Sequence, residues 1–185
     1  MGVTATEYWD LFDRDGKPLC RTLRRGDRLC AGEYHLVVHI WVVNSVGRFL
    51  IQRRSPRRKL MPNVWAVTSG SAVAGEDSLT AAQRELSEEL GITLPTEAFK
   101  KVGRITRRNS LCDVWLVCKD VAVPDMHLQR EEVAQVRWVT PDQLMTMIKG
   151  RAFHHYGASY FRFVFENIGK LVGRNMSPKE DFHVD

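Results

Sequence analysis

The sequence predicts an α+β domain, an α/β/α sandwich built on a mixed β-sheet. Two patterns carry that expectation: short extended runs fill the stretch before Gly70, and helical spacing begins only after Asp77, then recurs after Thr140 and from Ser159. Size is the third observation, since 185 residues and 21.2 kDa hold one well-formed core and fall short of two ordinary ones. With 44% hydrophobic and 26% charged residues, composition excludes a wholly disordered, collagen-like or coiled-coil chain.

Taken in order, Tyr8 to Phe12, the turn Asp13-Arg14-Asp15-Gly16 and Lys17 to Leu23 predict an opening hairpin, because a D-G step between extended runs favours tight reversal. A second hairpin is expected from His35 to Val43 and back over Arg48 to Arg54, followed by a short extended run at Trp65 to Ser69. Leu79, Ala82, Leu86 and Leu90 recur at three and four residues, which predicts a helix over Ser78 to Leu90. Asp77 can cap its first amides, and Gly91 before Ile92 suits a left-handed stop. Strands are expected at Val102 to Thr106, Leu111 to Cys118 and Val136 to Val139, then a helix from Pro141 capped by Thr140, and a last helix over roughly Ser159 to Val172. Residues 1–173 then form one domain, with the first hairpin as an N-terminal extension and a core over about 35–150; residues 174–185 read as a polar tail.

A net charge of +5 and a pI near 9.2 invite a polyanion. Nucleic acid needs an array of phosphate contacts, whereas a phosphorylated small molecule needs only a few arginines around a pocket. No apolar run is long enough to span a bilayer, so no membrane partner is expected. The start, Met1-Gly2-Val3-Thr4-Ala5-Thr6, fits a loose myristoylation pattern that chance starts also fit, and lacks the apolar core of a secretory signal. Cysteines 20, 30, 112 and 118 form neither a C-x-x-C pair nor a zinc spacing, so the expectation is a cytoplasmic protein with reduced thiols, monomer or homodimer.

The chemistry concentrates on the first helix. Advancing each residue by ~100° puts Glu85 and Glu89 one turn apart along the edge of the apolar stripe, with Glu88 nearer solvent and within pairing reach of Arg84. Three carboxylates in the last turns oppose one another and the helix dipole, and a divalent cation would relieve both. Hard oxygen ligands without histidine or cysteine suit magnesium or manganese better than zinc. The plainer alternative is a solvated acidic face.

Gly70, Glu76, Arg84, Glu85, Leu86, Glu88, Glu89, Gly91 and Ile92 fill every specified position of the pattern G-x5-E-x7-R-E-U-x-E-E-x-G-U, with U apolar. This stretch resembles the Nudix box, and Pro62-Asn63-Val64-Trp65 resembles the P-G-x-W that precedes it in that family, with Asn63 in place of glycine. The resemblance implies a Nudix fold and Mg2+-dependent attack of water (Mn2+ being the other candidate ion) on the diphosphate of a small molecule, a nucleoside diphosphate linked to another moiety or a related organic diphosphate. By matching positions, Glu85 and Glu89 hold the metal with the main-chain carbonyl of Ser69, and Glu88 either shares it or restrains Arg84.

The base lies outside the box in many members, and Glu132 and Asp113 are the candidates, with Glu85 acting through metal-bound water as a third route. Arg54 and Arg58, from the basic run before the box, are expected to fork phosphate oxygens, with Arg24 as a further candidate. His35 and His39 share one face of a strand and could line the pocket, His35 as a substrate contact; satisfied core histidines are the alternative. His154-His155-Tyr156 could border the site. The segment from Gly32 through Arg54 and Trp65 looks close to the isopentenyl-diphosphate isomerase branch. Yet Val67 to Ala72 lacks that enzyme's cysteine and histidine, so hydrolysis is expected, with isomerisation and an RNA-binding or decapping module as alternatives.

Overall fold

A computed structural model describes residues 6–177. The Met1-Gly2 start and residues 178–185 of the polar tail lie outside the described residues.

The expected hairpin forms from β1 (Tyr8–Phe12) and β2 (Pro18–Arg24), which pair antiparallel as a two-stranded sheet. It packs on the main sheet through buried Leu11, a bridge from Phe12 to Tyr34, and Trp9, whose ring lies on His35 at 4.0 Å. From there it reaches forward: the Ala74 amide donates to the Tyr8 carbonyl at 2.7 Å, and the Gly75 amide to Asp10 Oδ2 at 2.7 Å.

The main sheet has seven strands in the order β5-β4-β3-β8-β7, with β6 also on β3 and β9 also on β4. These are β3 (His35–Val43), β4 (Phe49–Arg54), β5 (Trp65–Ala66), β6 (Thr68–Ser71), β7 (Phe99–Thr106), β8 (Ser110–Cys118) and β9 (Val133–Val139). β3 and β8 run parallel over their whole length and the other pairings are antiparallel, so the sheet is mixed. The second hairpin differs from expectation. β3 and β4 pair only at Val42–Leu50 and Val43–Phe49, and β4 then leaves β3 to run beside β5 and β9. The gap so opened admits β6, which pairs with the first half of β3.

Alternation along the strands builds two cores. Leu36, Val38, Ile40 and Val42 meet Ala81, Ala82, Leu86 and Leu90 of α1 (Ser78–Leu90) on one face. Trp41, Val43, Phe49 and Ile51 meet α2 (Pro141–Lys149) and α3 (Ala158–Val172) on the other, through Leu144, Ile148, Phe161 and Phe165. Helix, sheet and helix make the predicted α/β/α sandwich.

Candidate active site

Local chemistry fixes α1. Asp77 accepts from the Thr80 amide at 2.7 Å, and Gly91 takes the left-handed conformation (φ 69°) that lets its amide and that of Ile92 close on the Ser87 and Leu86 carbonyls. Upstream, Asn63 occupies the left-handed region at φ 63°, which explains how it stands where a glycine was expected, since asparagine tolerates that conformation better than most side chains.

The acidic pair is pressed against β6. A Cβ on Gly70 would overlap the Glu85 carboxyl group, so that carboxylate occupies the space glycine leaves open. Glu89 is 4% exposed and accepts from Gln52 Nε2 at 2.7 Å, while Thr68 Oγ1 donates to Gln52 Oε1 at 3.0 Å and fixes the amide. Burial, then the charge of Glu85, pushes the Glu89 carboxyl up to about 8; burial also raises Glu85. The Ala72 amide donates to the Leu36 carbonyl, which sets the phase of the antiparallel β3–β6 ladder. In that phase the Ser69 and Ser71 carbonyls turn away from β3. Arg84 takes the Ser71 carbonyl at 3.1 Å, and Ser69's stays available beside Gly70.

Arg84 is a hub and not a free cation. Its guanidinium forks Glu76 at 2.7 and 3.0 Å and also reaches Glu85 at 2.9 Å and Glu88 at 3.1 Å. Glu76 in turn accepts from the Val73 amide at 3.0 Å, so the loop into the helix is tied to the helix itself. Glu88, with its side chain 53% exposed, pairs with Arg84 at 3.1 Å. Among the described residues no three carboxylate, histidine or cysteine side chains converge as a ready metal cage. Glu85, half-buried, and Glu89, buried, therefore offer two carboxylates next to an available carbonyl, a hard-oxygen set that fits Mg2+ or Mn2+.

The remaining candidates divide. Arg54 is buried, donates to the Leu60 carbonyl at 3.2 Å, and lies close enough to Glu89 to oppose its rise in pKa. Glu132 also feels Glu89 as a like charge, and its carboxylate is paired with Arg58. These three reach the acidic pair's surroundings.

A NUDIX domain model matches residues 33–159. The chain belongs to the Nudix family. It is 37% identical over 151 residues to an uncharacterised Nudix hydrolase of Listeria monocytogenes, an alignment covering 81% of this chain and 89% of the relative. Among solved structures, a Deinococcus radiodurans protein superposes with a TM-score of 0.69 at 23% identity, covering 85% of this chain and 98% of that one. The NUDIX domain of Shewanella oneidensis NrtR, in a cocrystal with ADP ribose, has a TM-score of 0.58 at 14% identity, over 73% and 88% of the two chains. This Nudix hydrolase is thus a pyrophosphohydrolase by family, on the fold that its sequence predicted.

Three expected site residues of the Nudix hydrolase stand elsewhere. Asp113 is fully buried and already neutralised: Arg104 forks it at 2.6 and 2.9 Å and Lys101 donates at 2.8 Å. Burial alone would raise its pKa, but those donors and Ser78 hold it below the usual carboxylate range, which makes it a structural anion and a poor base. Asp113→Asn is expected to cost roughly 1–3 kcal/mol in denaturant unfolding and to leave kcat within about twofold. A large fall in kcat at unchanged stability would return Asp113 to the reaction. Arg24 is exposed on β2; its neighbour Arg25 is the one close enough to act electrostatically on both Glu85 and His35. His35 lies beneath Trp9, where burial and then Arg25 push its pKa down to about 4, and its Nδ1 and the Trp9 Nε1 are buried without a partner among the described residues. It is neutral and covered. His39 accepts or donates through Nδ1 to the Tyr160 hydroxyl at 2.7 Å, the satisfied-histidine alternative.

Gln52 and Arg25 were given no site role from sequence, and Glu76 was named only as a position of the box. Glu76 carried a signal, its place in the box. Gln52 carried one as well, a lone amide inside an apolar strand.

Proposed function

We propose that this Nudix hydrolase uses Mg2+, or Mn2+, to cleave the diphosphate of a nucleoside diphosphate linked to another moiety or of a related organic diphosphate. The observation that carries this reading is the neighbouring pair Glu85 and Glu89, the first half-buried against Gly70 and the second buried, with burial and the charge of Glu85 pushing the Glu89 carboxyl up to about 8. Bound between that pair and the Ser69 carbonyl, the ion would neutralise diphosphate oxygens and acidify a water. The chain's own groups do the rest. Gln52 aims the Glu89 carboxylate, and Arg84 holds Glu85 and ties the helix to Ser71. Arg54 offers a guanidinium to a phosphate oxygen, and Glu132, released from Arg58 as the substrate's phosphate claims that arginine, accepts the proton of the attacking water. Water adds to phosphorus, and the P–O bond to the leaving phosphate breaks. ADP ribose, which the Shewanella NUDIX domain binds, is a compound of the proposed kind.

Within the isomerase-like branch we place the chain with the hydrolases, because Val67 to Ala72 offers neither thiol nor imidazole to protonate an alkene. The thiol of Cys112 is buried on β8, and burial pushes it up to about 12. A panel of nucleoside-diphosphate compounds and prenyl diphosphates, with products identified by mass spectrometry, tests the reading; no turnover of any member with Mg2+ or Mn2+ would end it. Glu132→Gln is expected to lower kcat by about a hundred- to ten-thousandfold with little change in KM. An unchanged kcat would move the base to another residue.

A further inference from the structure

On the sheet face opposite α1 stands a second polar cluster that the diphosphate chemistry leaves unused. Neighbours on a strand point to opposite faces. Gly70 backs onto Glu85, and Ser69 shares the other face with its register partner His39. Beside His39 stand Tyr156, with ring centroids 4.8 Å apart, and Tyr160, at 5.4 Å. The guanidinium of Arg107 lies 5.3 and 5.6 Å from the centroids of those same tyrosine rings, and His154 meets Tyr156 edge-on at 4.4 Å.

Hydrogen bonds run through this cluster. Trp41 Nε1 can only donate, and it donates to the Tyr160 hydroxyl at 3.0 Å. The Tyr160 hydroxyl then either donates to His39 Nδ1 or accepts from it, according to the tautomer of the ring. Burial, then the charge of Arg107, keeps His39 neutral, and the same two causes lower His154. Burial keeps the Tyr156, Tyr160 and Cys112 groups protonated. Arg107 has no carboxylate partner among the described residues, so the cluster carries one uncompensated positive charge amid neutral donors. Arg107, His154 and Tyr156 are all half-buried, so the cluster is within reach of solvent. Arg54 acts electrostatically on Glu89 and also on His154 and Tyr156, so one arginine lies between the cluster and Glu89.

We propose that Arg107, braced over Tyr156 and Tyr160 and flanked by His39 and His154, binds an oxyanion on the part of the substrate beyond the scissile diphosphate. The proposal rests on the diphosphatase reading and narrows it: the preferred substrate carries a further phosphate or a carboxylate outside the bond that is cut.

Two matched pairs of probes differ in that charge alone. NADP exceeds NAD by a phosphate, and UDP-glucuronate differs from UDP-glucose by a carboxylate. With Mg2+, the wild-type kcat/KM is expected to favour the charged member of one pair by about ten- to a hundredfold, the worth of a charge-assisted hydrogen bond, and which pair responds identifies the anion. Arg107→Ala should bring that ratio to about one, and Arg107→Lys should retain part of it; Arg107→Gln replaces the alanine variant should that one not fold. Where neither pair turns over, the same ratios are read as dissociation constants by calorimetry on the Glu89→Gln protein. Equal treatment of both members in both pairs, or a preference that survives loss of Arg107, overturns the proposal. Hydrolysis abolished by Glu89→Gln together with indifference to the added charge would keep the diphosphatase and remove the anion site. Charge-selective binding without hydrolysis would do the reverse.

Discussion

Glu89→Gln is expected to act in opposite directions on activity and on stability. Diphosphate hydrolysis should fall by about a thousandfold, because the substitution removes one of two anionic ligands while keeping the shape of the side chain. The metal-free protein, by contrast, should become more stable near neutral pH. Glutamate ionises near 4.5 in an unfolded chain and near 8 at this position. Between those values the folded state keeps a proton that the unfolded chain has released, so stability is full below about 5 and is lost as pH rises through about 8. The loss is on the order of a few kcal/mol. Glutamine carries no such proton and can still accept from Gln52, so the variant should show a flatter pH dependence, with Glu85 supplying what slope remains. Thermal melts in a chelating buffer from pH 5 to 9, beside a hydrolysis assay, read both effects. A wild-type protein whose melting temperature does not fall across that range would contradict the desolvated pair, and a variant that still hydrolyses would remove Glu89 from the site.

Gly70→Ala should separate chemistry from folding in another way. The backbone at Gly70 is outside the left-handed region, so alanine fits it without conformational strain. Its methyl group would nonetheless overlap the Glu85 carboxyl, the far end of a flexible side chain, which can swing aside. The expected cost is therefore small in denaturant unfolding, about 1 kcal/mol, and large in turnover, about a hundredfold or more, since a carboxylate displaced by an ångström no longer meets its partner and the Ser69 carbonyl together. Wild-type turnover in a folded Gly70→Ala protein would show that the contact between β6 and Glu85 has no part in catalysis.

What could be read in the sequence was what neighbouring residues decide among themselves. Helix α1 announced both its ends, because Asp77 and Gly91 act within one turn, and it placed Glu85 and Glu89 together by geometry alone. The surroundings of Asp113 were hidden for the opposite reason. Its neutralising partners, Arg104 and Lys101, come from β7 and meet it only through the β7–β8 register, which includes a bulge between Lys101 and Gly103. Arg24 was named and Arg25 was not, since only the docking of the hairpin on β3 decides which arginine nears Glu85. The second hairpin was expected to be regular because alternation within a strand does not reveal its partners; the early parting of β3 and β4 depends on β6, more than a dozen residues downstream. Arg107 and Tyr156 are far apart in sequence and meet only across the fold.

The opening hairpin lies ahead of residues 33–159, the span that the family model recognises. Yet Tyr8 and Asp10 hold the amides of Ala74 and Gly75 at the threshold of α1, and Trp9 roofs His35. Mechanical support for the site therefore reaches past the recognised span. The loop that leads into the acidic helix is splinted from outside the recognised span, and a graft of residues 33–159 alone into another scaffold would leave the splint behind.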